Sequence, residues 1–508
     1  MKIHQSHKIQ KRVPAKCSQI IYMLVLRSLL VKTVCFFFLM MFSFLLIGGS
    51  NCIAQRKKPE ILSKSIIDFG AKGDSITDDT EAIQRAVDSG DGQLVFPPGT
   101  YRITNPIDID LDKGGPVALI GQGTARILME RAGPAFRLVG THKGTANPST
   151  VKQNVWQSQR MPLIDGLEIV GRHPKAVGIE AAGTMQLTIT RVLVRKALHG
   201  IHLIERNRNV IISECHFYQN RGIGVYLDKV NLHQININNS HISYNAGGGI
   251  VVRKGEVRNL QVGSCDIESN MEEDGPITAN ILIDITEGSM REGTITGCTI
   301  QHSADVPESA NIRFIGHGTQ ERKKTGNFTI ANNALSDAQY NIHIQYGRGI
   351  IITGNTLWKG FSHNILIQQS DHINLGSNML DRNPDYGSGT TQESKNGVKI
   401  LEGRHLTISG LHINHVIGGL AGIVLEQCRN YNLTNSTILN CEGGGILLKE
   451  TENGKVSGNF INDDRQNVND PVAIEVKGGK NNLIISNYTD GIIHGGPDAA
   501  KITGNHLH

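Results

Sequence analysis

Ile352-Thr353-Gly354-Asn355-Thr356-Leu357 returns, with changed residues, at Leu375-Gly376-Ser377-Asn378-Met379-Leu380, Val456-Ser457-Gly458-Asn459-Phe460-Ile461 and Ile502-Thr503-Gly504-Asn505-His506-Leu507. The position of Asn355 is matched at Leu167, Val192, Cys215, Ser240, Cys265, Cys298, Asn333, Leu411, Ser436 and Asn487, with most steps of 22 to 25 residues. Short apolar runs on both sides of a tight turn, repeated with that period, mark a solenoid rather than a multi-domain globule. Each unit carries a second alternating run, such as Gly224-Val225-Tyr226-Leu227, Gly249-Ile250-Val251-Val252 and Asn341-Ile342-His343-Ile344. One face of such a run is core and the other is solvent.

Composition agrees with many short strands. Of 508 residues, 39% are hydrophobic and only 5% aromatic, and 57 are glycine against 15 proline. Aromatic packing therefore cannot build a large globule, whereas Gly and Asn can turn the corners between strands. Stacked coils would place the Asn, Ser and Cys of the repeat in an internal ladder. Cys215, Cys265 and Cys298 are expected as small buried rungs rather than reactive thiols.

The formal charge of +5 depends on the first 54 residues, which hold seven Lys and Arg and no acid, so the remainder carries 5 − 7 = −2. That balance gives no support to a nucleic-acid partner. The leader combines a basic start with an apolar run from Val34 to Ile47. It reads as a signal peptide over 1–54 that directs the chain to the periplasm, the cell surface or the medium, with an uncleaved membrane anchor as the alternative. The solenoid then occupies 55–508, with an N-terminal cap at about 66–104. After the leader an odd number of scattered cysteines remains, which specifies neither a disulfide framework nor a zinc site.

In the cap, Asp78 can begin a helix whose Ala82, Ile83, Ala86 and Val87 form an apolar stripe. Asp68-Phe-Gly-Ala-Lys-Gly-Asp74, Thr77-Asp-Asp-Thr-Glu-Ala-Ile-Gln84 and Phe96-Pro-Pro-Gly-Thr-Tyr101 resemble the opening signature of the pectate-lyase-like superfamily, which includes rhamnogalacturonase-type and epimerase-like proteins. The resemblance implies an all-β right-handed parallel β-helix with a helix cap, and an enzyme acting on polysaccharide. The signature belongs to the cap and does not carry the chemistry. Fragments similar to polygalacturonase motifs, at Gly316-His317-Gly318, Asp463-Asp464 and Asn487 to Gly491, occur in the wrong order and are more simply turns.

Outward positions of the second strand give an independent route to a site. They align Tyr226, Asp228, Arg253, Asp284, Arg313 and His343 over five coils, with Lys399 further along. Asp228 and Asp284 lie two coils apart, about 9.6 Å at the usual strand spacing, near the upper end of the ~6.5–9.5 Å that admits a water in inverting glycosidases. They are the expected acid and base, with Tyr226, Arg253, Arg313, His343 and Lys399 contacting substrate. The alternatives are an Asp-Arg-Asp ion-pair ladder, β-elimination on a uronate, or a non-catalytic glycan-binding β-helix. Hydrolysis needs no cofactor. Elimination would let Arg253 or a Ca²⁺ ion neutralise the uronate; Glu272-Glu273-Asp274 could bind Ca²⁺ but read more simply as a solvated acidic loop. Three long steps, Cys265 to Cys298, Cys298 to Asn333 and Asn378 to Leu411, insert residues before the second strand, where they are expected to wall a groove for an extended chain.

Overall fold

The computed structural model describes residues 63–318, 325–383, 394–466, 468 and 471–507; the leader lies outside them, as do Arg322-Lys323-Lys324 and most of the third insertion. Parallel pairing runs without a break from Lys64–Ser65 to His506–Leu507, and the strands belong to one continuous right-handed parallel β-helix. The hand is the one a right-twisted strand takes when it crosses to a parallel neighbour.

Each coil contributes to three faces. In one coil these are His241–Ser243, Gly248–Arg253 and Glu256–Gly263, which we call sheets A, B and C. Lys254, Ser264 and Tyr244, with φ of 54°, 52° and 57°, turn the corners in the left-handed region. The stacked pairing on both sides holds these non-glycine residues there. Inward side chains pair with their own kind from coil to coil. On sheet B the column runs Val225, Ile250, Ile281, Ile312, Ile342, Ile365, Val398, Ile423, Ile446 and Ile474. This column is buried, so every coil adds apolar area to one continuous core.

Two polar ladders run through that core. At the turn from sheet C to sheet A, Asn333, Asn355 and Asn378 join amide to amide at 3.0 and 2.9 Å, and Asn459, Asn487 and Asn505 do the same at 2.9 Å. Cys215 occupies a rung as a buried free thiol, its backbone N–H donating to Ser240 Oγ. The second ladder, between sheets A and B, runs Asn220, Asn245, Asn270, Asn280, Asn311, Asn341 and Asn364. Asn270 closes a sheet A strand, whereas Asn280 opens one of sheet B. The first insertion lies between them, and the ladder continues by changing the end of the turn from which its amide comes.

The cap helix is Thr80–Asp88. Asp78 Oδ1 accepts from the Thr80 N–H at 3.1 Å, while the Asp79 carboxylate accepts from the N–H groups of Lys72 and Gly73 at 2.6 and 3.1 Å. The two acids of the signature thus tie down the helix start and the preceding loop. Ala82, Ile83, Ala86 and Val87 are buried on the open end of the first coils. There they cover apolar surface that a bare solenoid end would expose.

Candidate functional site

Backbone register places every expected site residue on the outer side of sheet B. Tyr226 pairs with Val251, then Leu282, Arg313, His343, Leu366 and Lys399; Asp228 pairs with Arg253, then Asp284. The expectation of one contiguous polar patch needs correction. Val251 and Leu282 are buried beneath Ile223, Ala279 and Ala310, with Tyr226, Ile315 and Tyr340 packed against them. The insertions fold onto the sheet instead of standing beside it, because Ala279 and Ala310 find apolar outward residues to cover. Two polar clusters remain, one on each side of this plug.

The C-terminal cluster contains Arg313, His343 and, further along, Lys399. The Arg313 guanidinium donates to the Glu308 carbonyl of the second insertion and lies over the Tyr340 ring. His343 bonds to Gln368 at 2.9 Å through Nε2. Burial, reinforced by the Arg313 charge, pushes His343 down to about 4, and burial with Lys399 and Lys395 does the same for His363. Arg313 and His343 are 5% and 8% exposed, so neither reaches solvent with more than an edge. Lys399 forms an ion pair with Glu426 at 2.9 Å, and Lys449 approaches the same carboxylate at 2.8 Å.

The N-terminal cluster is more open and contains groups that the sequence reading left out. Asp108, Arg137, Glu180 and His202 pair in register and lead directly to Tyr226. Arg137 bridges Asp108 at 2.8 Å and Glu180 at 3.2 Å. His202 sets Nδ1 3.3 Å from Glu180 and Nε2 3.4 Å from Asp228, and its ring stacks on Tyr226. Hydrogen bonding from His202, with Arg137 beside it, holds the Glu180 carboxyl below the usual range despite burial. The Tyr226 hydroxyl meets both Asp228 and Arg253; burial and the Asp228 charge push it up to about 12. His199 completes the cluster, accepting from the Ile223 N–H at 3.1 Å, and burial beside His202 pushes it down to about 4.

His202 thus links two carboxylates across three successive coils, and an imidazole so placed can exchange a proton with either neighbour. Asp284 is oriented differently, accepting from the Thr286 N–H at 3.2 Å and its hydroxyl at 2.8 Å. Among the described residues, Arg253 forms no ion pair within 4.0 Å with Asp228 or Asp284, so the Asp-Arg-Asp ladder does not form. The outward column already contains His202 beside Tyr226, and extending it three further coils toward the N-terminus would have found Glu180, Arg137 and Asp108.

Other motifs have structural roles. Arg465 clamps Asp463 through Nε at 2.8 Å and Nη2 at 2.6 Å, and Asp490 accepts from the Asp463 N–H at 2.7 Å, so this cluster fixes a turn. Among the described residues no group of three or more His, Cys, Asp or Glu is placed to hold a metal ion, and no helix is long and apolar enough to cross a membrane.

Similarity to known proteins is consistent with the fold. An uncharacterized protein, YclG, of Bacillus subtilis is 24% identical over 417 residues; the match covers 78% of this chain and 61% of that protein, so the chain spans about three-fifths of its relative. The pre-mature gene product 12 of bacteriophage phi29 superposes with a TM-score of 0.50 at 14% identity, covering 84% of this chain and 66% of that one. The A-module of the mannuronan C-5 epimerase AlgE4 of Azotobacter vinelandii superposes with a TM-score of 0.35 at 13% identity, covering 87% of this chain and all of that one. Residues 280–488 are similar to the periplasmic copper-binding protein (NosD) family. Residues 63–365, more than half of the chain and including the cap and the whole N-terminal cluster, match the family described as rhamnogalacturonase A/epimerase, pectate lyase-like, and the chain belongs to that family.

Proposed function

We propose that the protein is a secreted enzyme that cleaves glycosidic bonds of a polysaccharide lying across sheet B, by hydrolysis. The observation that carries this reading is the Glu180–His202–Asp228 trio, with His202 at 3.3 and 3.4 Å from its two carboxylates. Asp228, at its exposed end, delivers the shared proton to the leaving oxygen, and His202 restores it. Asp284 lies two coils on, about 9.6 Å along the axis. Held as an acceptor by Thr286, it takes a proton from the attacking water on the opposite side of the sugar ring. Tyr226 and Arg253 flank the space between and position the sugar.

One observation favours a second reading, β-elimination. Arg253 is not neutralised by either neighbouring aspartate, so its guanidinium can pair with a uronate carboxylate. In that case Tyr226 or His202 exchanges the proton. Incubating the chain from Gln55 with acidic and neutral polysaccharides separates the readings. New reducing ends alone indicate hydrolysis, reducing ends together with the ultraviolet absorbance of an unsaturated product indicate elimination, and binding without either indicates a non-catalytic glycan-binding protein.

A further inference from the structure

Sheet C carries a feature that the sheet B site does not use. Arg208, His233, Arg258 and Arg291 pair in register on four successive coils, at about 4.8 Å per coil; Arg208 is buried and donates to Asn209 and Thr145, and His233, Arg258 and Arg291 form the open part of the column. Like charges directly opposite one another on adjacent strands repel. Glu256, which accepts from Asn231 at 2.9 Å, offsets part of the Arg206 charge, and Glu292 acts on His233. Among the described residues Arg258 and Arg291 form no ion pair within 4.0 Å. Arg206 adds a further positive charge next to Arg208.

Three buried nitrogens without a hydrogen-bond partner, Arg206 Nε, His233 Nδ1 and Arg291 Nε, lie in this one strip. The strap from Gly144 to Thr145 closes its upper end, its carbonyls accepting from Arg206 and Arg208. Burial and the surrounding Arg208 and Arg258 charges push His233 below its ordinary value. Alongside runs a shallow cleft of about 330 Å³ in which Asn209, Gln234, Asn236, Asn259 and Gln261 surround Val210 and the exposed Ile211. Amides offer donors and acceptors to hydroxyl groups, and no Phe, Tyr or Trp stands on the sheet C segments of these four coils, 206–213, 231–238, 256–263 and 289–296.

We propose that this face of sheet C, from His233 to Arg291, is a second saccharide-binding surface, which takes a linear anionic polysaccharide lying along the helix axis. Its carboxylates face the arginine column and its hydroxyls face the amide-lined cleft. Arginine suits this role through its forked donors, and a chain whose charges repeat along the axis relieves the repulsion between coils. The surface is separate from the sheet B site and does not depend on what that site does.

The test is calorimetric titration of the chain from Gln55, carrying Asp228→Asn to prevent turnover, with polygalacturonate oligomers, their methyl esters and a single-stranded oligonucleotide. Arg258→Gln with Arg291→Gln should weaken oligogalacturonate binding at one class of site by tenfold or more without lowering the melting temperature. Added salt should shrink the difference. Asn236→Ala with Gln261→Ala should weaken the same site. Unchanged affinity and stoichiometry in the arginine variant would overturn the proposal. So would equal binding of the methyl ester, or oligonucleotide binding as tight as that of the uronate.

Discussion

The imidazole of His202 lies nearly parallel to the ring of Tyr226, with centroids 5.2 Å apart and an interplanar angle of 11°. These two residues are paired in register on adjacent strands, so the stack follows from the coil spacing. It fixes the imidazole with one nitrogen toward Glu180 and the other toward Asp228. The column thereby joins Glu180, His202 and Asp228 into one connected group.

Replacing Asp228 with Asn keeps the shape and removes the exposed end of the trio. Turnover on the polysaccharide that the panel identifies should fall by about 10² or more with the melting temperature little changed. Asp284→Asn should do the same if Asp284 activates water. Full activity with a lowered melting temperature in either variant would show a purely structural role.

Acid should destabilise the fold well above the carboxylate range. His142, His199, His343 and His363 are each pushed from 6.5 to about 4, chiefly by burial. Below pH 6.5 their unfolded forms bind protons that the folded forms do not. The stability they contribute is therefore complete above 6.5 and is lost as pH falls toward 4. Melting curves across that window should fall by several degrees. His343→Gln should flatten the slope, and an unchanged slope would contradict the assignment.

Asn355 holds Asn333 above and Asn378 below. Asn355→Ala removes the acceptor of the Asn333 backbone N–H and a donor to the Ile330 carbonyl, and each buried group left without a partner costs about 1–3 kcal/mol. Denaturant unfolding should show the loss, while Asn374→Ala, on an exposed outward position of the same coil, should stay within about 0.5 kcal/mol of the parent.

Leu282 pins the first insertion to sheet B. Leu282→Ala should cost about 2 kcal/mol, the low end for a buried leucine, and should expose residues 270–280 to limited proteolysis. Resistance equal to that of the parent would mean that Asn270, Asn280, Thr278 and Val251 hold the insertion without Leu282.

By itself the sequence determined the coil. A period of 22 to 25 residues with alternating apolar positions permits one register, since a slip by one residue would turn every charged outward side chain into the core. The pairing of Asp228 with Arg253 and Asp284, and of Arg313 with His343, follows from that alternation. The first amide ladder was equally legible because its rungs stand at a fixed offset from each turn. The second was not, since its rung moves from Asn270 to Asn280 across an insertion and keeps no constant sequence position.

Only the tertiary structure decided which parts of the outward columns stay open. Alternation says that Val251 and Leu282 point away from the core, but not that Ala279 and Ala310 come down to cover them, because long insertions carry no period. The same limit hid the Glu180–His202–Asp228 trio. Glu180, His202 and Asp228 become one group through side-chain reach between coils, and the distances across stacked strands are set by three-dimensional packing rather than by sequence spacing.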